Sequence, residues 1–185
     1  MIDDFEHIKK ILSEGKIILY PTDTIWGLGC DINFQEAIYR IYDIKKRPLD
    51  KPFIILVSDL DMLKKYVVDI HPRVETLLLY HKRPLTIIYK KAKNVPDILT
   101  KNGSIAIRIV MEPILAKLIQ EYGRPIVSTS ANIANEPNPA NFRSISDKIK
   151  KSVDYIFKYK QNDLKAAPPS VIASYNKNGR LKFLR

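Results

Sequence analysis

Three clusters of polar and cationic residues follow apolar segments of this 185-residue chain. They are residues 20–29 (YPTDTIWGLG), residues 45–51 (KKRPLDK) and residues 128–132 (STSAN). Small hydroxyl groups and cations that follow buried strands are well placed to hold a phosphorylated or carboxylated ligand. The clusters therefore predict an enzyme that binds an anionic small molecule.

Lys45 and Arg47 stand two residues apart, where a predicted helix meets a proline-containing turn. A guanidinium group binds phosphate through paired donors and an ammonium group binds it as a point charge, so the two side chains predict a phosphate clamp. Cations at a helix C-terminus also stabilise the helix dipole, by about 0.3 to 1 kcal/mol each. Both interpretations stay open on these residues alone.

The third cluster also allows two interpretations, and the glycines of the first cluster favour one. Short side chains in Ser128–Asn132 either contact a closely approaching ligand or cap the next element. Gly27 and Gly29 lack the third glycine of a dinucleotide fingerprint, and the chain has no Walker-type loop, so a standard Rossmann or P-loop site is not expected. The two glycines then predict a tight turn.

Composition narrows the classes of partner. The chain has 31 Lys and Arg against 20 Asp and Glu, a net charge of +11, which predicts an anionic partner such as a nucleotide or nucleic acid. Its single cysteine and scattered histidines predict no metal site built from protein side chains and indicate a reducing compartment. The acidic N-terminus does not resemble a signal peptide, so we expect a cytoplasmic protein that does not bind membranes.

Hydrophobic patterns predict an alternation of helices and strands, which indicates an α/β sheet. Helical spacing covers residues 3–14, 72–80, 112–122 and 144–151, and two further helices begin near Asn33 and Ser58. Gly15 and Gly123 are expected to end their helices. Apolar runs predict a central strand at 16–20 and further strands at 53–57, 85–89, 104–109, 126–128, 155–157, 171–175 and 180–184.

Taken jointly, the motifs resemble the YrdC-like family of L-threonylcarbamoyladenylate synthases. The matching segments are residues 20–29, Lys45-x-Arg47, residues 105–108 and Ser130-x-Asn132, in the family's order and spacing from about residue 10 to the C-terminus. The resemblance implies the short form of the family, with a single catalytic domain over residues 1–185. It also implies an α/β fold whose twisted open mixed sheet of about seven strands, with flanking helices, surrounds a basic cavity.

The same resemblance implies the reaction and its partners. L-threonine, bicarbonate and ATP, the last with Mg²⁺, would give threonylcarbamoyl-AMP and pyrophosphate, a nucleotidyl transfer. The product would pass to the downstream proteins that transfer the threonylcarbamoyl group to tRNA, forming N6-threonylcarbamoyladenosine. Because such a reaction needs positioning and charge neutralisation, no side-chain nucleophile is expected.

Residue by residue, the resemblance implies an ATP site and a threonine site. In the threonine site we expect Arg108 to pair with the carboxylate, and in the ATP site we expect Lys45 and Arg47 to hold the triphosphate. The ATP-site residues are Lys45, Arg47, Lys51, Ser104, Ser130, Asn132, Asn138 and Arg185. The threonine-site residues are Thr24, Arg108, Ser128 and Ser170. The chain departs from the family pattern at Leu56, Ala134, Asn135, Asn138 and Val171.

The alternative from another class is an RNA-binding or regulatory module with the same fold and no adenylate synthesis. The net charge supports weak RNA binding through phosphate contacts. The aromatic residues, Phe53 among them, fall mostly on predicted core positions, so the sequence lacks the interleaved aromatic platform that such a module uses. Carbamoyl transfer, as in larger maturation enzymes that contain a related domain, is a third option, for which the sequence offers neither a partner domain nor zinc motifs.

Overall fold

Short apolar strands alternate with amphipathic helices in the computed structural model, which describes residues 3–184. The prediction for Arg185 lies outside the described residues. The strands are β1 (Ile18–Tyr20), β2 (Gly27–Gly29), β3 (Ile54–Val57), β4 (Leu85–Tyr89), β5 (Ile105–Ile109), β6 (Ile126–Ser130), β7 (Tyr155–Ile156), β8 (Val171–Tyr175) and β9 (Leu181–Phe183). The helices are α1 (Phe5–Ser13), α2 (Gln35–Lys45), α3 (Leu60–Lys64), α4 (Pro72–Tyr80), α5 (Pro113–Tyr122) and α6 (Asp147–Lys151), and short 3₁₀ turns cover Asp97–Leu99 and Phe142–Ser144.

The described strands form one open mixed sheet in the order β7-β1-β2-β6-β3-β5-β4-β8-β9. The pairs β1–β7, β3–β5 and β4–β8 are parallel, and the other neighbours are antiparallel. The α/β class and the open mixed sheet are confirmed, but the sheet has nine strands where about seven were expected. The strand predicted to be central, β1, lies next to the edge strand β7.

Strand β2 is the element that the sequence did not predict, since Gly27 and Gly29 were expected to form a tight turn. Its backbone instead pairs with β1 on one side and β6 on the other. Tyr20 lies against this strand, and its hydroxyl donates a hydrogen bond to the carbonyl oxygen of Val127 at 3.2 Å. A Cβ on Gly29 would lie 2.0 Å from that same oxygen. Glycine therefore allows β2 to lie close to β6. Strand β6 leads into the third polar cluster.

The helix boundaries follow local capping chemistry. Asp4 accepts hydrogen bonds from the backbone of Glu6 and His7 and begins α1. Gly123 ends α5 in the left-handed conformation, as predicted, with φ of 77°. Lys46 ends α2 in the same conformation, with φ of 50°, and so turns Arg47 away from the helix axis. This turn delivers the second polar cluster to the face of the sheet.

Apolar side chains of the central strands make the core on both faces of the sheet. Ile55, Ile107 and Val127 lie in register on adjacent strands and are almost fully buried. Helices α1, α2 and α5 add their apolar faces to this core. Among the described helices, none has the length and apolar character that crossing a membrane would require.

Candidate active site

A cavity that is partly open to solvent lies where the end of β6 meets the segment between β1 and β2. Other parts of its wall are Arg47, residues 52–54, Arg108 near the end of β5, Asn138 and the start of β8. It brings together seven predicted site residues that are far apart in sequence. They are Thr24, Arg47, Arg108, Ser128, Ser130, Asn138 and Ser170.

Arg108 is the penultimate residue of β5, opposite Leu56 and Thr86 on the neighbouring strands, and is 4% exposed. Its Nη1 donates a hydrogen bond to Thr24 Oγ1 at 3.1 Å, and its Nη2 lies 3.7 Å from Asp23 Oδ1. A guanidinium this deep in the wall is strongly attractive to an anionic group in the cavity, because few waters screen it. The predicted pairing of Arg108 with a substrate carboxylate fits this placement.

Hydroxyl groups surround Arg108 on two sides. Thr22 Oγ1 accepts a hydrogen bond from the backbone of Thr24 at 2.9 Å and donates one to the carbonyl of Ile25 at 2.8 Å, which fixes the turn after β1. On the other side, Thr86 of the neighbouring strand β4 is paired with Arg108, and its Oγ1 lies 2.9 Å from Ser170 Oγ. These hydrogen bonds give the polar wall one defined arrangement.

Lys45 is the last residue of α2, and its side chain is buried behind the cavity against the end of β6. Its Nζ donates hydrogen bonds to the carbonyl oxygens of Ser130 and Asn132, both at 2.5 Å, and to Asn132 Oδ1 at 3.3 Å. The backbone N–H of Ala134 donates to the carbonyl of Lys45 at 2.7 Å. Lys45 therefore fixes the segment after β6 but does not line the cavity, so its contact with a triphosphate stays a prediction.

The position of Lys45 predicts a pH-dependent stability. Burial, with the nearby charge of Arg47, lowers the pKa of Lys45 to about 7, whereas an unfolded lysine titrates near 10.4. Between these values the unfolded chain binds more protons than the folded chain, so the contribution of Lys45 to stability rises with pH and is lost as the pH falls to about 7. The slope is about 1.4 kcal/mol per pH unit.

We therefore expect the unfolding free energy of the wild type, relative to Lys45→Met, to grow above about pH 7 and to be flat below it. Urea unfolding of both proteins, from about pH 6 to pH 9, measures this difference. A difference that stays constant over the whole range would show that the folded protein keeps Lys45 protonated.

Arg47 reaches the cavity from the turn after α2. Its Nε donates to the carbonyl of Lys51 at 2.9 Å and its Nη2 to that of Pro52 at 3.3 Å, and its guanidinium lies 5.2 Å from the centre of the Phe53 ring. Burial lowers the pKa of Arg47 from its ordinary value, but arginine stays protonated in proteins. The guanidinium group of Arg47 is thus held in place by two carbonyl groups and an aromatic ring. It has further N–H donors that can bind a ligand.

The remaining predicted residues lie outside the cavity wall. Lys51 contributes its carbonyl oxygen to Arg47. Ser104 donates to the carbonyl of Lys101 at 2.6 Å, and Asn132 donates to the carbonyl of Glu136 at 2.6 Å. These contacts are structural, so a role for Lys51, Ser104 or Asn132 in binding ATP stays a prediction.

The structure places four of the residues at which the chain departs from the family pattern. Asn135 takes a left-handed φ of 67°, a conformation that asparagine tolerates better than most residues. Leu56 is fully buried in β3 beside Arg108. Asn138 keeps its place in the cavity wall, and Val171 begins β8.

Two aromatic residues of the wall were not expected there. Phe53 stacks on Tyr42 with 4.1 Å between ring centres, and it also faces the cavity beneath Arg47. Trp26 lies 4.8 Å from the ring of Phe142 and lines the cavity near Gly27. Trp26 lies within the first polar cluster and Phe53 closely follows the second, which is the signal that could have identified them. They give the cavity an apolar surface beside its cations.

The sequence of this chain is similar to those of known proteins. Residues 10–185 match the family model of the Sua5, YciO and YrdC proteins, which is described as telomere recombination. The chain belongs to this family. Among curated relatives, a threonylcarbamoyl-AMP synthase of Xanthomonas campestris pv. campestris (strain B100) is 37% identical over 149 residues, which cover 78% of this chain and 79% of that protein.

Two solved structures extend the comparison. P. abyssi Sua5 complexed with L-threonine superposes with a TM-score of 0.84 and 26% identity, covering 98% of this chain and 53% of Sua5. This chain therefore spans about half of that protein. Full-length HypF in its phosphate- and nucleotide-bound form gives a TM-score of 0.85 and 26% identity over 100% of this chain and 29% of HypF.

Proposed function

We propose that this member of the Sua5, YciO and YrdC family is an L-threonylcarbamoyladenylate synthase. The observation that supports the proposal is that Arg47, Arg108, Ser128 and Ser130 line the same cavity. The chain is also 37% identical, over 149 residues, to a threonylcarbamoyl-AMP synthase. Its substrates are ATP and L-threonine. The binding-module alternative is not favoured, because it leaves the hydroxyl and guanidinium groups of this cavity without a role.

The reaction has two bond-forming steps. The amine of threonine combines with bicarbonate to form an N-carboxy group and water. An oxygen of that group then attacks the α-phosphorus of ATP, and the bond to the leaving pyrophosphate breaks. Because both reactants are anionic, the protein accelerates the second step by aligning them and by neutralising their charge.

We assign the residues of the wall to these two tasks. Arg108 and the hydroxyls of Thr24, Ser128 and Ser170 hold threonine, and Arg47 with Ser130 holds phosphate groups of ATP. Lys45, through its hydrogen bonds to the segment after β6, keeps the hydroxyl of Ser130 aligned. The apolar surface of Phe53 and Trp26 then lies beside the reacting groups and excludes water from the mixed anhydride.

The other partners are part of the same proposal. Mg²⁺ enters with ATP as part of the substrate, bound by phosphate oxygens. Among residues 3–184, no cluster of three or more His, Cys, Asp or Glu side chains is arranged to hold a metal ion. The product goes to the proteins that transfer the threonylcarbamoyl group to tRNA. We place this activity in the cytoplasm, where tRNA and ATP are found, and assign any weak RNA binding to the net charge of +11.

Release of pyrophosphate tests the proposal directly. The purified protein is incubated with ATP, Mg²⁺, bicarbonate and L-threonine, and we expect pyrophosphate to accumulate only when all of them are present. Omission of threonine and omission of bicarbonate are the controls. ATP binding without pyrophosphate release, together with steeply salt-dependent RNA binding, would contradict the proposal and favour the binding module.

A further inference from the structure

Asp23 is a buried carboxylate beside Arg108 that the assignments above do not use. Its side chain is 10% exposed, and neither carboxylate oxygen accepts a hydrogen bond from any residue between Asp3 and Leu184. Its Oδ1 lies 3.7 Å from Nη2 of Arg108, which is an ion pair without a hydrogen bond. A carboxylate kept from water without donors is costly, so this arrangement needs a compensating function.

The segment that carries Asp23 separates two cavities. Thr22, Thr24 and Trp26 line both the cavity that contains Arg108 and a second cavity, whose wall includes Asp23. The partition thus presents a guanidinium group and a carboxylate group within one ion-pair distance of each other. An uncharged alcohol or a simple carboxylic acid would not need this combination.

We propose that Asp23 recognises the α-ammonium group of the amino-acid substrate, so that Asp23 and Arg108 together select a zwitterion. This inference rests on the proposed function. The ammonium and the carboxylate of an α-amino acid are carried by adjacent carbon atoms. A ligand whose carboxylate pairs with Arg108 therefore holds its ammonium within a few ångströms of Asp23, where the low dielectric makes their attraction strong.

Asp23 also discriminates against anions that lack an amine. Its negative charge repels any carboxylate that approaches Arg108, and only an α-ammonium group offsets that repulsion. Selection by repulsion of the wrong ligand, combined with attraction of the right one, is a general route to specificity. The residue thus determines specificity and makes the amine, the group that must react with bicarbonate, a condition for binding.

The test compares L-threonine with (3R)-3-hydroxybutyrate, which is threonine with its ammonium replaced by hydrogen. Calorimetry measures both affinities for the wild type, for Asp23→Asn and for the control Asp163→Asn. Asp163 lies in the wall of the second cavity, and its Oδ1 accepts from the backbone of Lys165, a contact that asparagine keeps. We expect the wild type and the control to prefer threonine by roughly tenfold or more, and Asp23→Asn to bring this ratio close to one.

A ratio unchanged in Asp23→Asn, or an equal loss of affinity for both ligands, would overturn the proposal, since Asp23 would then only support Arg108. The wild type provides an independent test if the variant does not fold: equal binding of the two ligands by the wild type would also overturn it. Failure of the wild type to bind threonine at all would instead contradict the proposed function, and the role of Asp23 would fall with it.

Discussion

Replacing Lys45 with methionine is expected to reduce threonylcarbamoyl-AMP formation by ~100-fold or more. The lysine itself stays behind the cavity, so the loss comes from the hydroxyl of Ser130, which is released when its carbonyl group is no longer held. Displacement of a reacting group by about 1 Å can cost about 100-fold in rate. Pyrophosphate release at saturating ATP and threonine measures the effect.

The same substitution is also expected to lower stability. It removes the donor that the half-buried carbonyl groups of Ser130 and Asn132 share. The Ser130 carbonyl keeps the backbone N–H of Asn132 at 3.0 Å, so we expect a cost of about 1 to 3 kcal/mol, mainly at the Asn132 carbonyl. Lys46→Met is the matched control, because Lys46 is the adjacent lysine and is exposed. The control should keep wild-type activity and wild-type urea unfolding. Full activity of Lys45→Met would contradict the role that we give to the segment after β6.

Much of the fold could be predicted because its elements carry strong local signals. Helix α4 begins and ends where the apolar spacing places it, and Gly123 ends α5 as expected. Strand β2 was missed because Gly27 and Gly29 have low strand propensity. The strand forms through its pairing with distant segments of the chain, in particular its close approach to β6 beneath Tyr20. The order of strands, including the position of β1 near an edge, depends on such long-range pairing.

In the candidate site, too, some features could be predicted from the sequence and others depend on the three-dimensional structure. The polar clusters pointed to Arg47 and Ser130, and the family resemblance pointed to Arg108; the three do share one cavity. The sequence did not distinguish Arg47, whose guanidinium faces the cavity, from Lys45, whose ammonium is bound by carbonyl groups. That difference arises because Lys46 ends the helix in the left-handed conformation, so the residues before and after it point in different directions. Asp23 was also missed, since only the three-dimensional structure shows that its carboxylate lacks donors.

Arg108→Met is expected to raise the KM for threonine by ~100-fold or more while changing the KM for ATP by less than about threefold. Truncating one member of a buried charge pair typically costs about 2 to 5 kcal/mol of binding, and Arg108 is assigned to the threonine carboxylate alone. Initial rates of pyrophosphate release, with each substrate varied in turn, measure the two constants. Arg73→Met is the control, because Arg73 is an exposed arginine on α4.

Loss of Arg108 also affects folding, and a double variant separates this effect from catalysis. In Arg108→Met the carboxylate of Asp23 stays buried without the guanidinium, and breaking a buried pair in this way costs about 3 to 5 kcal/mol. Adding Asp23→Asn removes the remaining charge, so the double variant should recover much of the lost stability in urea unfolding and yet bind threonine at least as weakly as the single variant. Recovery of threonine binding along with stability would mean that Arg108 maintains the fold of the cavity and does not hold the substrate.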